Sequence, residues 1–425
     1  MAQFLGKSTV VRNTVWMLVG QGLRLVIQAL YFTLIARSLG AGNYGAFVGV
    51  AALVGIVFPF STLGSGALLV KNVARDKTLF ARYWGGVLTT TGVAGSVLFV
   101  MVILLANLVL PAAIPRRLVC LVAGADLFGT SMITACGQAF QAFESLNWTA
   151  TINVLMSACR LAGAVVLIAI DKHPSALQWG YLYFCSTTIA AIAAQLLVLV
   201  KLGGPDFSLR KSAAEMREGF YFSASLSAQT VYNDIDKTML SRLSTLDATG
   251  IYGAAYRLIE VSFVPVSSVL NATWPTFFRT GSEGVSATLR YAKRLLVRVL
   301  AYSIPVSGIL LLSAGVVPYI LGPEYFRTVE ALRWLALLPV LKSIHYFLAD
   351  ALTGAGFQGV RAGIQAGVAV FNFLINLWLI PAYSWRGAAW SSIASDALLV
   401  CGIGTAAFLL SRRPKPVLAD APANV

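Results

Sequence analysis

The residues able to do chemistry in this chain are charges, hydroxyls and amides set at helical spacings inside long apolar runs. Gln21, Arg24, Gln28 and Tyr31 follow at three, four and three residues, which puts them on one helix face. Ser223, Ser227, Thr230, Asp234, Lys237 and Ser241 follow at four, three, four, three and four. Tyr252, Tyr256 and Glu260 stand at i, i+4 and i+8, with Arg257 alongside and Asp236 close by in sequence. A charge at the centre of a membrane helix costs roughly 2.5–3.5 kcal/mol on insertion scales, so such stripes turn to water or to partners and not to lipid. Stripes of this kind can line a water-filled cavity and bind a polar solute there. Asp234, Asp236 and Glu260 are the candidates for a coupling proton or sodium ion. Bond-breaking chemistry finds no support: there is no HExxH, no CxxC and no nucleophile–base–acid set. The five cysteines (Cys120, Cys136, Cys159, Cys185, Cys401) are scattered in apolar runs as small hydrophobes, so neither disulfide nor metal nor cofactor is expected.

The elements that must carry these stripes follow from composition. Of 425 residues 58% are hydrophobic and 12% charged, far from the ~45–50% and ~25% of ordinary soluble domains. That excludes a soluble enzyme, a disordered chain and a nucleic-acid-binding domain. The formal net charge of +15 lies mostly in short loops between apolar runs, as the positive-inside rule expects of a membrane protein. Twelve apolar helical spans are predicted, near 13–37, 45–70, 84–110, 117–141, 148–170, 177–200, 218–242, 248–278, 294–314, 329–353, 360–381 and 387–411. The fold class is therefore all-α integral membrane. Pro265 and Pro275 can kink the eighth span. The start is read as an uncleaved first span, because its apolar run is too long for a signal peptide and carries Arg24.

The connection around 201–217 carries Gly203, Gly204 and Pro205 and divides the chain into an N-terminal six-helix lobe, 1–205, and a C-terminal one, 206–425, with a short polar tail. The halves repeat. Tyr44-Gly45-Ala46 and Tyr252-Gly253-Ala254 lie 208 residues apart, and each opens an even-numbered span. An even number of spans per half gives both halves one orientation, and so a pseudo-two-fold axis along the membrane normal. Lys and Arg number eighteen in the termini and even-numbered loops against seven in the odd-numbered loops, which puts both termini in the cytoplasm.

Plainer readings stand beside these. The stripe of span seven can be a helix–helix interface glued by Ser and Thr. Asp126 and Arg160 read as a structural pair between neighbouring spans. Arg298 and Arg333 can snorkel to the interface. Lys342 and Asp350 share a face of span ten and fit either view, while His345 reads as a satisfied bundle residue and not a proton relay.

Several motifs then carry a resemblance. The run 34–45, Leu-Ile-Ala-Arg-Ser-Leu-Gly-Ala-Gly-Asn-Tyr-Gly, resembles the end of span one in Wzx-type polysaccharide flippases. Asp234-Ile235-Asp236-Lys237 with 250–257, Gly-Ile-Tyr-Gly-Ala-Ala-Tyr-Arg, is similar to their span seven to eight signature. Leu321-Gly322-Pro323-Glu324-Tyr325 and the stretch from Asn376 through Pro381 to Gly387-Ala388-Ala389 also fit. The resemblance extends over nearly the whole chain. It implies the multidrug/oligosaccharidyl-lipid/polysaccharide exporter superfamily, with two six-helix lobes in a MATE-like V shape. It implies a cargo of undecaprenyl-diphosphate-linked oligosaccharide, turned from the cytoplasmic to the periplasmic leaflet of a bacterial inner membrane for O-antigen or exopolysaccharide synthesis. The absence of spans thirteen and fourteen separates it from many lipid II flippases.

On that reading Arg24, Lys237 and Arg257 neutralise the diphosphate, and Gln21, Gln28, Tyr31, Tyr252 and Tyr256 meet the sugars. The partners are the lipid-linked glycan and the bilayer, with room for a complex with a polysaccharide polymerase. Three rival readings remain: a MATE-type exporter of small cationic molecules, a membrane glycan polymerase or ligase, and a major-facilitator-type transporter. The first wants an acidic cavity, whereas the spans carry seven basic against six acidic residues. The second wants a large external loop, which the spacing of the spans does not leave.

Overall fold

The computed structural model describes the backbone of residues 2–207 and 213–412, with side chains over 22–207, 219, 220, 223, 227, 230, 233–274 and 276–412. Within these the chain is helical, with no strand. Helix α1 (Ala2–Val57) is followed by α2 (Ser65–Val73), α3 (Phe80–Val109), α4 (Arg116–Gly124) and α5 (Ser131–Ala142). Then come α6 (Leu146–Ile170), α7 (Ala176–Lys201), α8 (Ala213–Leu243), α9 (Leu246–Gly281) and α10 (Val285–Ser313). The chain finishes with α11 (Val317–Leu321), α12 (Thr328–Leu335), α13 (Leu338–Gly354), α14 (Gln358–Tyr383) and α15 (Trp385–Ser411). Each residue left exposed to hydrocarbon must satisfy its backbone within its own helix, which is why long apolar runs take this form.

Ten stretches among the described residues are long and apolar enough to cross a membrane. The difference from the expected twelve has two sources. Spans one and two are merged in α1, which turns at Gly40 (φ 70°, ψ 171°) without an intervening loop. The expected seventh span, α8, is 31 residues long, but most of it lies outside the residues whose side chains are described. Apolar rows on single faces are left bare, as on α3, where Val93, Val97, Val100, Leu104 and Leu108 are all exposed. Bare rows of this size mark a surface that meets lipid.

Compactness groups the chain into two units. The first comprises Met1–Ala254, Gly315–Ala331 and Asn376–Ala388; the second Ala255–Ala314, Leu332–Ile375 and Ala389–Val425. These units follow contacts and not the sequence repeat. In the first unit α1 packs on α6 and α8, and α6 on α7. Its core includes Leu69, Phe80, Trp84, Ile133, Phe140 and Val198. In the second unit α10 lies along α13, and Val266, Phe277, Val299 and Phe347 form the centre.

Candidate functional site

The two repeated tripeptides mark a helix crossing inside the first unit. A Cβ on Gly45 would collide with the Leu246 carbonyl, and one on Gly250 with the Ala41 carbonyl; one on Gly253 would press on Val48. The first turns of α9 and the part of α1 beyond the kink therefore touch backbone to backbone. Only hydrogen at positions 45 and 250 permits it.

The kink beside this crossing is held by the motif at 321–325. At Gly40 the chain leaves helical geometry, so the carbonyls before it and the N–H groups after it lose their intrahelical partners. Glu324 Oε2 accepts from the Ala41 N–H at 2.9 Å, and the Tyr325 hydroxyl donates to the Ala36 carbonyl at 2.9 Å. Arg37 Nη1 donates to the Ile320 carbonyl at 3.3 Å. A carboxylate at a helix N-terminus is also favoured by the helix dipole. Burial holds the Tyr325 phenol well above its ordinary pKa, so it remains a donor. No local pattern assigns Glu324 this role, because its partner lies 283 positions away. Replacing Glu324 by Ala is expected to lower stability by about 1–2 kcal/mol, the usual loss of a helix cap, and Glu324→Gln by less. Thermal unfolding in detergent measures both.

The stripe residues fall into distinct environments. Arg24 and Gln28 are half-buried, while Leu23, Val26 and Leu30 on the other side of α1 are exposed, so the stripe turns away from the lipid-facing row. Tyr31 packs with its ring 5.6 Å from that of Trp179. Gln21 lies outside the residues whose side chains are described. On α8 the plainer reading accounts for most of the stripe. Ser227 Oγ donates to the Ile56 carbonyl at 2.8 Å, and Ser241 lies against Gly49, so α8 uses its small polar residues to pack on α1. Asp234 and Lys237 are the exceptions. Lys237 Nζ meets Asp234 Oδ1 at 2.5 Å, with the lysine 8% and the aspartate 26% exposed. Asp236 points elsewhere and accepts from the Tyr252 hydroxyl.

Two expectations change here. Tyr252 and Tyr256 are buried, at 0% and 4% exposure, so in this conformation neither ring offers a surface to a sugar. The i, i+4, i+8 spacing put both on one face but could not say that the face packs against protein. In the second unit Tyr256 accepts from Lys342 Nζ at 3.0 Å. Arg257 and Glu260 pair with each other at 2.8 Å, about one-third exposed, the kind of partly solvated pair that contributes little to stability.

Each unit also holds a buried polar cluster. In the first, Asp126 Oδ1 accepts from Tyr183 (2.8 Å), Thr130 (2.9 Å) and Arg160 (3.4 Å). The Arg160 guanidinium also lies 4.3 Å from the centre of the Tyr183 ring. Asp126 lies in a π-helical turn, Ala125–Thr130. The structural pair expected of Asp126 and Arg160 is thus present, widened into a network. In the second unit, α13 contributes Lys342, His345 and Asp350. Asp350 pairs with Arg361 at 3.0 Å and not with Lys342, although the two share a helix face. His345 Nε2 lies 3.1 Å from Asp396 Oδ1. Among the described residues no group of three His, Cys, Asp or Glu side chains could hold a metal ion.

The architecture is that of a multi-helix transporter fold. It matches lipid II flippase MurJ in an inward-closed conformation with a TM-score of 0.75, at 11% identity over 92% of this chain and 87% of that one. It matches an inward-facing multidrug resistance MATE family transporter of the MOP superfamily at 0.72, with 14% identity over 93% and 98%. In sequence, the chain is 21% identical over 379 residues to a probable low-salt glycan biosynthesis flippase of Haloferax volcanii, covering 88% of this chain and 78% of the relative. Residues 10–281 match the polysaccharide biosynthesis protein family, and with more than half its length in that match the chain belongs to the family.

Proposed function

We propose that this protein is a flippase for undecaprenyl-diphosphate-linked oligosaccharide, serving O-antigen or exopolysaccharide synthesis in a bacterial inner membrane. Both termini face the cytoplasm, and the lobes 1–205 and 206–425 alternate in opening to either side. The diphosphate cannot enter hydrocarbon unaided, because burying an unpaired anion is prohibitive. Arg24 and Lys237 neutralise it, with Arg257 in support; Gln21, Gln28 and Tyr31 meet the first sugars, and the prenyl tail stays in lipid. A second conformation is needed before Tyr252 or Tyr256 could take part. The observation that carries this reading is Arg24: a cation midway along a membrane helix, turned away from the exposed apolar row, in a chain of a polysaccharide biosynthesis family.

The test is thermal unfolding of the detergent-purified protein, titrated with a polyprenyl-diphosphate glycan and separately with a cationic dye. At 100 times its Kd the glycan lipid is expected to add about 2.7 kcal/mol to the folded state, and Arg24→Ala to remove most of that gain. Stabilisation by the dye alone overturns the reading in favour of a small-cation exporter.

A further inference from the structure

We propose that His345 and Asp396 form a proton-binding site in the second unit, and that its proton drives the transport cycle. This rests on the flippase reading only for the cargo; the site itself stands on its own geometry. It also moves ion coupling away from Asp234, Asp236 and Glu260. Asp234 sits against Lys237, Asp236 against a phenol, and Glu260 against Arg257.

The pair on α13 and α15 differs. Histidine is the side chain whose ordinary titration falls near neutrality, and here it lies 3.1 Å from a carboxylate with both side chains at most 2% exposed. The surroundings set the charge balance. Lys342 stands one turn earlier on α13 and contacts Tyr256 of α9. Asp350 stands later on the same helix and holds Arg361 of α14. The Tyr346 ring lies 4.4 Å from the imidazole. Near Asp396 on α15, Ser395 accepts from Asn372 of α14. From α10, Ala292 and Val299 share an apolar cluster with Phe347 and Ala351 of α13.

With Asp350 and Asp396 ionised and His345 neutral, the cations Lys342 and Arg361 balance the two carboxylates. One proton bound to the pair, on the imidazole or on the carboxylate, brings the cluster to a net charge of +1. A net charge deep among membrane helices is costly while the site is dry and cheap when water reaches it. Proton binding therefore favours the conformation that wets the cluster, and proton release favours the closed, dry one. A differential affinity of this kind is what lets a ligand shift a conformational equilibrium. The proton is taken from water on one side and returned to water on the other, with no other group altered.

The experiment uses the full chain, solubilised in detergent for the first readout and reconstituted in proteoliposomes for the second. The first is proton uptake on detergent-solubilised protein after a pH jump, counted with an indicator dye; it needs no cargo. One proton per molecule is expected for the parent and none from this site in His345→Gln or Asp396→Asn. The second is the steady-state distribution of a fluorescent polyprenyl-diphosphate glycan between leaflets under an imposed pH gradient. One coupled proton per cycle gives about a tenfold bias per pH unit. Both variants are expected to lose that bias while still being stabilised by the glycan lipid. If either fails to fold, the joint replacement His345→Leu with Asp396→Leu removes the pair without leaving a lone buried charge. The proposal is overturned if the parent distribution ignores the gradient, or if the variants take up the same proton and keep the bias. Failure of the flippase reading shows differently, as proton uptake without any movement of the glycan lipid.

Discussion

Gly250→Leu is expected to reduce transport by about two orders of magnitude while the protein stays folded. At Gly250 a Cβ would collide with the Ala41 backbone carbonyl, and at Gly45 with that of Leu246. Backbone cannot step aside as a side chain can, so α9 and α1 must part by more than an ångström. Overpacking a well-fitted contact costs typically ~1–3 kcal/mol, and about 2.7 kcal/mol corresponds to a hundredfold change in an equilibrium. The crossing lies beside the kink held by Glu324 and Tyr325, so the wedge also strains that clasp. The separate packed cluster around Leu69, Phe80, Trp84 and Phe140 in the first unit includes none of the crossing's residues and is expected to stay intact. The measurement pairs transport with labelling of Ala46→Cys in a cysteine-free background, using a membrane-impermeant maleimide. Ala46 is buried in the closed crossing, so it is expected to be unreactive in the parent and reactive in the Gly250→Leu variant. Unchanged transport with unchanged labelling would show that this crossing is not an element of the cycle.

The second large effect concerns Lys237. Removing it alone leaves Asp234, 26% exposed, without its cation, at a cost below the ~3–5 kcal/mol typical of a fully buried pair. Lys237→Ala should therefore lower both stability and transport, which by itself does not separate a structural from a recognition role. The double variant Asp234→Ala, Lys237→Ala does. Removing both charges together restores part of the stability, because Asp234 no longer stands without its cation. Transport is expected to stay at least tenfold below the parent if Lys237 meets the diphosphate. Transport that returns along with the melting temperature would instead make the pair purely structural, and would leave Arg24 as the head-group cation.

The environments of these two sites show where sequence reading stops. Hydropathy and charge placement determined that this is a helical membrane protein, because no other structure satisfies backbone groups in lipid. Helical spacing correctly grouped Asp234 with Lys237, since residues three apart share a face. The Tyr-Gly-Ala repeat marked two segments as equivalent. None of these signals could say what a face touches. Ser227 and Ser241 spell the same pattern whether they line water or pack on α1, and only the packing shows the second. Tyr252 and Tyr256 were placed on one face by their spacing and then buried by their neighbours.

The clasp at Gly40 and the His345–Asp396 pair belong to the same class of fact. Glu324 lies 283 positions from its partner, and Asp396 and His345 are carried by different helices. A periodic pattern records geometry within one helix, where neighbours are dictated by 3.6 residues per turn. Contacts between helices depend on how whole elements pack, and that is set by shape and small residues distributed over the entire chain. So composition and spacing determined the solvent, the elements and their polar faces, while tertiary packing alone decided which charges are paired, which phenols are buried and which glycines must stay glycine.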